Sequence, residues 1–203
     1  MNHSRFRGYL NELNGLYIFK SHSYPIDFGH KGLKLITIVR DPRDVIVSFA
    51  SYAANISEEK GGWSQEYRNL PEKKRIQEVL RSGEFIIERL YGWYNANNTL
   101  VIKYEDLLVS PDTQLVKIQK YLNLAVNEER IAACIEKNSF INKSKGRRPG
   151  QESKTNFYRK GISGDWKNYF DEETVFLYKT TLEGRWNEIL VELGYEESLN
   201  WIL

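Results

Sequence analysis

Apolar residues recur along the chain in two periods. Leu16 to Phe19, Leu35 to Val39 and Leu100 to Tyr104 are short runs rich in β-branched and aromatic residues, each bounded by polar or turn residues, as buried strands are. Between and after them the spacing becomes helical. Asp41-Pro42-Arg43-Asp44 offers a capping carboxylate and a proline suited to the first helical position, and Val45, Ile46, Phe49 and Tyr52 follow on one side. Ile76, Val79, Leu80, Ile86, Ile87 and Leu90 trace another helix, weakened in its middle by Gly83. Ser110-Pro111-Asp112 repeats the capping signal before Leu115, Ile118 and Leu122. Asp171 opens a last helix through Phe176, Leu182, Trp186, Ile189 and Leu190, which Gly194 stops. Strands alternating with helices predict an α/β fold with a parallel sheet flanked by helices. Two stretches, Asn55 to Lys74 and Asn142 to Lys160, have no period, and long aperiodic loops in a compact domain are usually functional or disordered.

Composition narrows the class. With 203 residues, 41% hydrophobic and 28% charged, the chain suffices for one domain with a single large core and is short for two, so residues 1–203 are expected to form a single domain. The formal charge of +2 argues against a whole-molecule polyanion binder, and no nucleic-acid partner is expected; any anion site must be local. Ile131, Cys134 and Ile135 fall at helical spacing and read as one buried stripe. One cysteine permits neither an intramolecular disulfide nor a cysteine-based metal site, which suits a reducing compartment. Met1 to Leu10 contains no apolar signal region and no stretch approaches a membrane span, so a soluble, cytoplasmic protein is expected.

Three segments carry candidate chemistry. Leu35 to Ser48 reads as a strand that delivers Arg40 where a capped helix begins. Ligands of open α/β sheets bind beyond the carboxyl ends of strands, and a helix N-terminus favours anions. Arg40 can fork onto a phosphate and Ser48, two turns on, can donate a further hydrogen bond; equally, Arg40 can pair with Asp41 or Asp44 as a clasp while Ser48 is an ordinary small residue. In Tyr17-Ile18-Phe19-Lys20-Ser21-His22 the strand period puts Lys20 and His22 on one face. That pair suits proton acceptance and charge stabilisation, or is simply a strand-end surface. In Asn156 to Lys167, Arg159 and Lys160 precede Gly161, whose missing side chain lets a backbone N–H approach an anion. The loop before it adds Lys143, Lys145, Arg147, Arg148 and Lys154, which alone would also describe a solvated basic loop.

Together, in this order, these segments resemble the cytosolic sulfotransferase family, whose members move a sulfuryl group from 3′-phosphoadenosine 5′-phosphosulfate (PAPS) to a hydroxyl or amine. Lys20-Ser21-His22 is similar to the family's K-T-H segment, which implies His22 as general base and Lys20 as its helper. Arg40 and Ser48, eight apart, match the arginine and serine that hold the nucleotide's 3′-phosphate. Lys103-Tyr104-Glu105-Asp106-Leu107 looks like the family's strand end K-Y-E-D-L, whose tyrosine lies by the adenine. Arg159-Lys160-Gly161 and Gly164-Asp165-Trp166-Lys167 are similar to R-K-G-x-x-G-D-W-K, which closes over the 3′-phosphate. Asn138-Ser139-Phe140 falls where the family has T-S-F, with an adenine-stacking ring; Phe140 could equally end the preceding helix in the core. The resemblance implies a P-loop-kinase-like fold, PAPS as co-substrate and no metal.

Two features depart from the pattern. The family begins with a strand and P-K-S-G-T-T-W, a loop for the 5′-phosphosulfate, and no lysine precedes Lys20. The domain is therefore expected to be N-terminally incomplete, to bind the nucleotide weakly and to transfer sulfate poorly. Counted from Lys167, the family's dimer motif is also lost, since Asp171, Glu172 and Phe176 stand at its fixed positions; oligomeric state does not carry over. The rival readings are a non-catalytic nucleotide-binding remnant and a P-loop nucleotide kinase relative, the latter lacking its Gly-rich lysine loop and acidic metal cluster. Trp63 and Tyr67 are candidates for an apolar acceptor pocket, and Tyr91, Trp93 and Tyr94 are assigned to the core.

Overall fold

The computed structural model describes residues 17–21, 24, 33–56 and 63–202. Two strands, β1 (Leu35–Val39) and β2 (Thr99–Lys103), pair in parallel with Leu35 opposite Thr99 and Val39 opposite Lys103. Parallel neighbours need a long crossover, and here it carries α1 (Pro42–Asn55), α2 (Gln65–Asn69) and α3 (Glu72–Ser82). After β2 come α4 (Tyr104–Val109), α5 (Pro111–Tyr121), α6 (Glu128–Asn138) and the single turn α7 (Phe140–Lys143). A 3₁₀ turn at Asp165–Asn168, α8 (Glu172–Thr180) and α9 (Arg185–Glu192) complete the α/β layers. Among the described residues no helix is long and apolar enough to cross a membrane.

Two of the three expected caps form, while Ser110 stands at the N-cap of α5 without a side-chain capping hydrogen bond and turns its hydroxyl towards Asp106 O instead. Asp41 Oδ1 accepts from the Arg43 backbone N–H at 2.9 Å with Pro42 opening α1, and Asp171 Oδ1 accepts from Thr174 N–H at 3.0 Å. The apolar positions of α1 separate into two stripes. Ile46, Val47, Ala50 and Ala53 enter the core, whereas Val45, Ser48, Phe49 and Tyr52 line the cleft described below. The core continues through Ile76, Val79 and Leu80 of α3, Tyr178 of α8, and Trp186, Ile189 and Leu190 of α9. Tyr91 is buried, and Tyr94 packs against this cluster.

Five expectations are corrected. The run at Leu16 to Phe19 is not a strand where it is described: Tyr17, Ile18 and Phe19 carry no regular structure and are exposed. The sheet is two-stranded among the described residues, and without a ladder β-propensity does not make a strand. Tyr104 starts α4 instead of ending β2. Gly83 does more than weaken its helix, for α3 ends there and a π-helical turn follows at Ile87–Tyr91. A Cβ at Gly83 would lie 2.9 Å from the Trp186 ring, whose Nε1 donates to Leu80 O at 3.1 Å. The last helix is two, because Leu182, Glu183 and Gly184 take positive φ; the break lets Tyr178 donate to Trp186 O at 2.9 Å. Cys134 is exposed, since α6 buries only Ile131 fully and turns Cys134 and Ile135 to the cleft.

Candidate functional site

The strand register builds the first half of the site. Because Val39 pairs with Lys103, the next residues, Arg40 and Tyr104, emerge side by side at the carboxyl end of the sheet. The Arg40 guanidinium lies over the Tyr104 ring at 4.7 Å. The backbone behind it is fixed from both flanks. Tyr91, fully buried, donates its hydroxyl to Arg40 O at 2.9 Å, and burial pushes that phenol well above its ordinary pKa. Glu105 accepts from Asp41 N–H at 3.1 Å and from the Tyr195 hydroxyl at 2.7 Å, tying the two strand ends to the C-terminal segment.

The second half comes from the loop after α7. Asp44, with no exposed side-chain surface, accepts from Gly164 N–H at 2.7 Å and from Trp166 N–H at 2.9 Å. Arg40 reaches the same region, donating to Ile162 O at 3.0 Å and lying 3.3 Å from the Asp44 carboxylate. Gly161 sits at φ +67°, and any side chain there would strike the Phe140 ring. Phe140 therefore does not end α6 in the core; it opens α7, half-buried against Gly161 and under the Arg147 guanidinium at 5.3 Å. Ser139 caps α7, accepting from Asn142 N–H at 3.3 Å.

These parts enclose a cleft of about 1150 Å³. Arg40, Ser48, Tyr104, Ser139, Phe140, Arg159, Lys160 and Gly161 all line it, although they come from four separate stretches of chain. Lys20 is exposed and does not line the cleft; His22 lies outside the described residues. Trp63 and Tyr67 do not line it either. Their rings meet at 4.2 Å, tilted by 59°, and Tyr67 is buried, its hydroxyl near Ala50 O.

Four cations of the cleft, Arg40, Lys154, Arg159 and Lys160, already meet carboxylates. Asp165, 1% exposed at its side chain, accepts from Arg159 and Lys160 at 2.6 Å each and from Asn168 at 2.8 Å. Burial would raise the Asp165 carboxyl, but these hydrogen bonds outweigh it and hold it below the ordinary range. Arg159 also reaches Glu152 at 2.6 Å and Tyr169 at 3.1 Å. Hydrogen bonding to Asp165 raises Lys160. Arg40 pairs with Asp44, as the clasp reading expects, and also lines the cleft. Arg40 Nε is buried with no hydrogen-bond partner among the described residues, which leaves a charged donor unsatisfied in this arrangement. Glu105 and Glu152 are the site builders that sequence reasoning missed, while Asp44 was named only as a clasp partner and Asp165 only within its motif. The Asp-Pro-Arg-Asp and Gly-Asp-Trp spacings were visible, but only folding brings them into contact.

Comparison with known proteins adds a family and a fold. A family model described as Sulfotransferase domain matches residues 7–183. Sulfotransferase 1B1 of Canis lupus familiaris is 28% identical over 180 residues, covering 79% of this chain and 58% of its own length. Amine sulfotransferase of Oryctolagus cuniculus is 27% identical, covering 77% and 56%. The chain thus spans under two thirds of the length of these relatives. Among solved structures, mouse sulfotransferase SULT7A1 complexed with PAP shares the fold at TM-score 0.55 and 23% identity, over 76% of this chain and 62% of that one.

Proposed function

The chain belongs to the sulfotransferase domain family, and from that premise we propose that it binds PAPS and transfers its sulfuryl group to a small hydroxyl or amine acceptor. The observation that carries this reading is the convergence of Arg40, Ser48, Tyr104, Ser139, Phe140, Arg159, Lys160 and Gly161 on one cleft. Arg40, Ser48, Arg159, Lys160 and the Gly161 backbone hold the 3′-phosphate, while Tyr104 and the Phe140 ring flank the adenine. The fit is supported by the buried, unpartnered Arg40 Nε and by the close approach of Gly161 to the Phe140 ring on the lining of the cleft. The nucleotide supplies the activated sulfuryl group. On the protein side, His22 takes the proton of the attacking acceptor oxygen or nitrogen as its bond to sulfur forms, and Lys20 meets the charge that gathers on the departing phosphate oxygen.

A second reading, nucleotide binding without transfer, is favoured by the position of Lys20 outside the cleft lining. One experiment separates the two. Transfer of labelled sulfate from PAPS is followed with phenols, alcohols and amines, beside calorimetric binding of 3′,5′-ADP. Transfer that falls on the order of 10²-fold or more in His22→Ala, with 3′,5′-ADP affinity kept, supports the enzyme. Binding with no transfer to any acceptor supports the second reading, and no binding overturns both.

A further inference from the structure

We propose that Asp44 is a positioning residue that locks Arg40 and the Arg159-Lys160-Gly161 loop into one register, so that the preference for a 3′-phosphate depends on a carboxylate that need not touch the nucleotide. The inference rests on the nucleotide reading above and adds a residue to it. Asp44 stands one helical turn beyond Arg40, in the first turn of α1, and its side chain is wholly buried. One oxygen accepts from Trp166 N–H, and the other accepts from Gly164 N–H and lies 3.3 Å from Arg40. Arg40 closes the circuit by donating to Ile162 O. Thus the strand-end arginine and the loop are linked twice, through Asp44 and through the backbone between Gly161 and Gly164. Gly161, seated on Phe140, cannot shift without moving the adenine wall.

The alternative role for Asp44 is a plain counter-charge, and the two roles differ in sign. A carboxylate 3.3 Å from Arg40 opposes a phosphate arriving at the same guanidinium, so removing its charge alone would tighten 3′,5′-ADP binding. Removing a positioning group loosens it, because the amide of an asparagine can accept from one of the two backbone N–H groups and not both, and misplacement by about 1 Å is enough to matter.

The test is calorimetry of 3′,5′-ADP and 5′-AMP with the wild-type protein, Asp44→Asn and Asp44→Glu. The expected result is a fall of roughly tenfold or more in 3′,5′-ADP affinity for both variants, with 5′-AMP affinity within about twofold of wild type. Asp44→Glu matters because it keeps the charge and moves the oxygens. Unchanged or tighter 3′,5′-ADP binding in either variant, or equal losses for both nucleotides, overturns the proposal. A wild-type protein that does not distinguish the two nucleotides overturns the 3′-phosphate reading itself, before Asp44 is altered. Should the variants fail to fold, amide hydrogen exchange on the wild-type protein decides. Gly164 and Trp166 are expected to be protected without nucleotide and to slow further with 3′,5′-ADP but not with 5′-AMP; no added protection overturns the coupling.

Discussion

At the scale of single residues, Arg40 and Arg159 have different surroundings. Arg40 keeps a buried donor without a partner among the described residues, whereas the largely buried Arg159 guanidinium is shared by Asp165, Glu152 and Tyr169. Truncating either cation at a desolvated phosphate contact leaves charge unpaired, so Arg40→Ala and Arg159→Ala are each expected to weaken 3′,5′-ADP binding by about 2 to 5 kcal/mol. Binding of 5′-AMP should hardly change, and calorimetry showing equal losses for the two ligands would remove both arginines from the 3′-phosphate site. Gly161 makes a steric prediction. At φ +67° and against the Phe140 ring, Gly161→Ala should destabilise the protein by about 1–3 kcal/mol. In a denaturant series, combining it with Phe140→Ala should cost less than the sum of the two, because the clash disappears with the ring. Strict additivity would show that the ring and the glycine do not meet in solution.

Among the elements, α1 is held as much by its first turn as by its apolar face. Arg43, 3% exposed, pairs with Asp41 at 2.7 Å and Glu196 at 2.6 Å. Its guanidinium lies over the Trp166 ring at 3.8 Å and near the Trp201 ring at 4.8 Å, two rings that meet each other edge-on. It therefore pins the start of α1, the 3₁₀ turn and the C-terminal segment together. Burial raises Asp41 despite Arg43 beside it, so removing the arginine would leave a buried carboxylate with no cation. Arg43→Ala is expected to lose about 3–5 kcal/mol of stability in urea unfolding. Arg81→Ala, which breaks an exposed pair with Glu78 on α3, should lose under about 1 kcal/mol. Comparable losses would mean that the aromatic clamp adds nothing to an ordinary surface pair.

For the whole molecule, acid sensitivity follows from carboxylates that the fold has depressed. Asp165 is lowered by its hydrogen bonds from Lys160, Arg159 and Asn168 against the opposing effect of burial, and Asp171 by those from Lys73 and Thr174. A carboxyl lowered in the folded state contributes stability above its unfolded value of about 4, and that contribution is lost as pH falls through the lower folded value. Asp41, raised by burial, works in the opposite sense. The melting temperature should therefore decline from about pH 5 towards pH 2, and less steeply in Asp165→Asn; an unchanged slope would show that Asp165 keeps no such pairing in solution. Much of this molecule was legible in the chain. Capping at Asp41 and Asp171 and the runs of β1 and β2 are local matters of dihedral preference and period. The candidate residues of the cleft were named by their resemblance to family motifs. What the chain could not show was register and rotation. Whether Arg40 would meet Tyr104 depended on the pairing of Val39 with Lys103. Whether Cys134 would be core or cleft depended on which side of α6 found a partner. Whether the last helix would break depended on how Trp186 packs against Leu80 and Tyr178. Those outcomes are contacts between segments distant in sequence, and contact free energy between distant segments overrides the local preferences that a sequence displays.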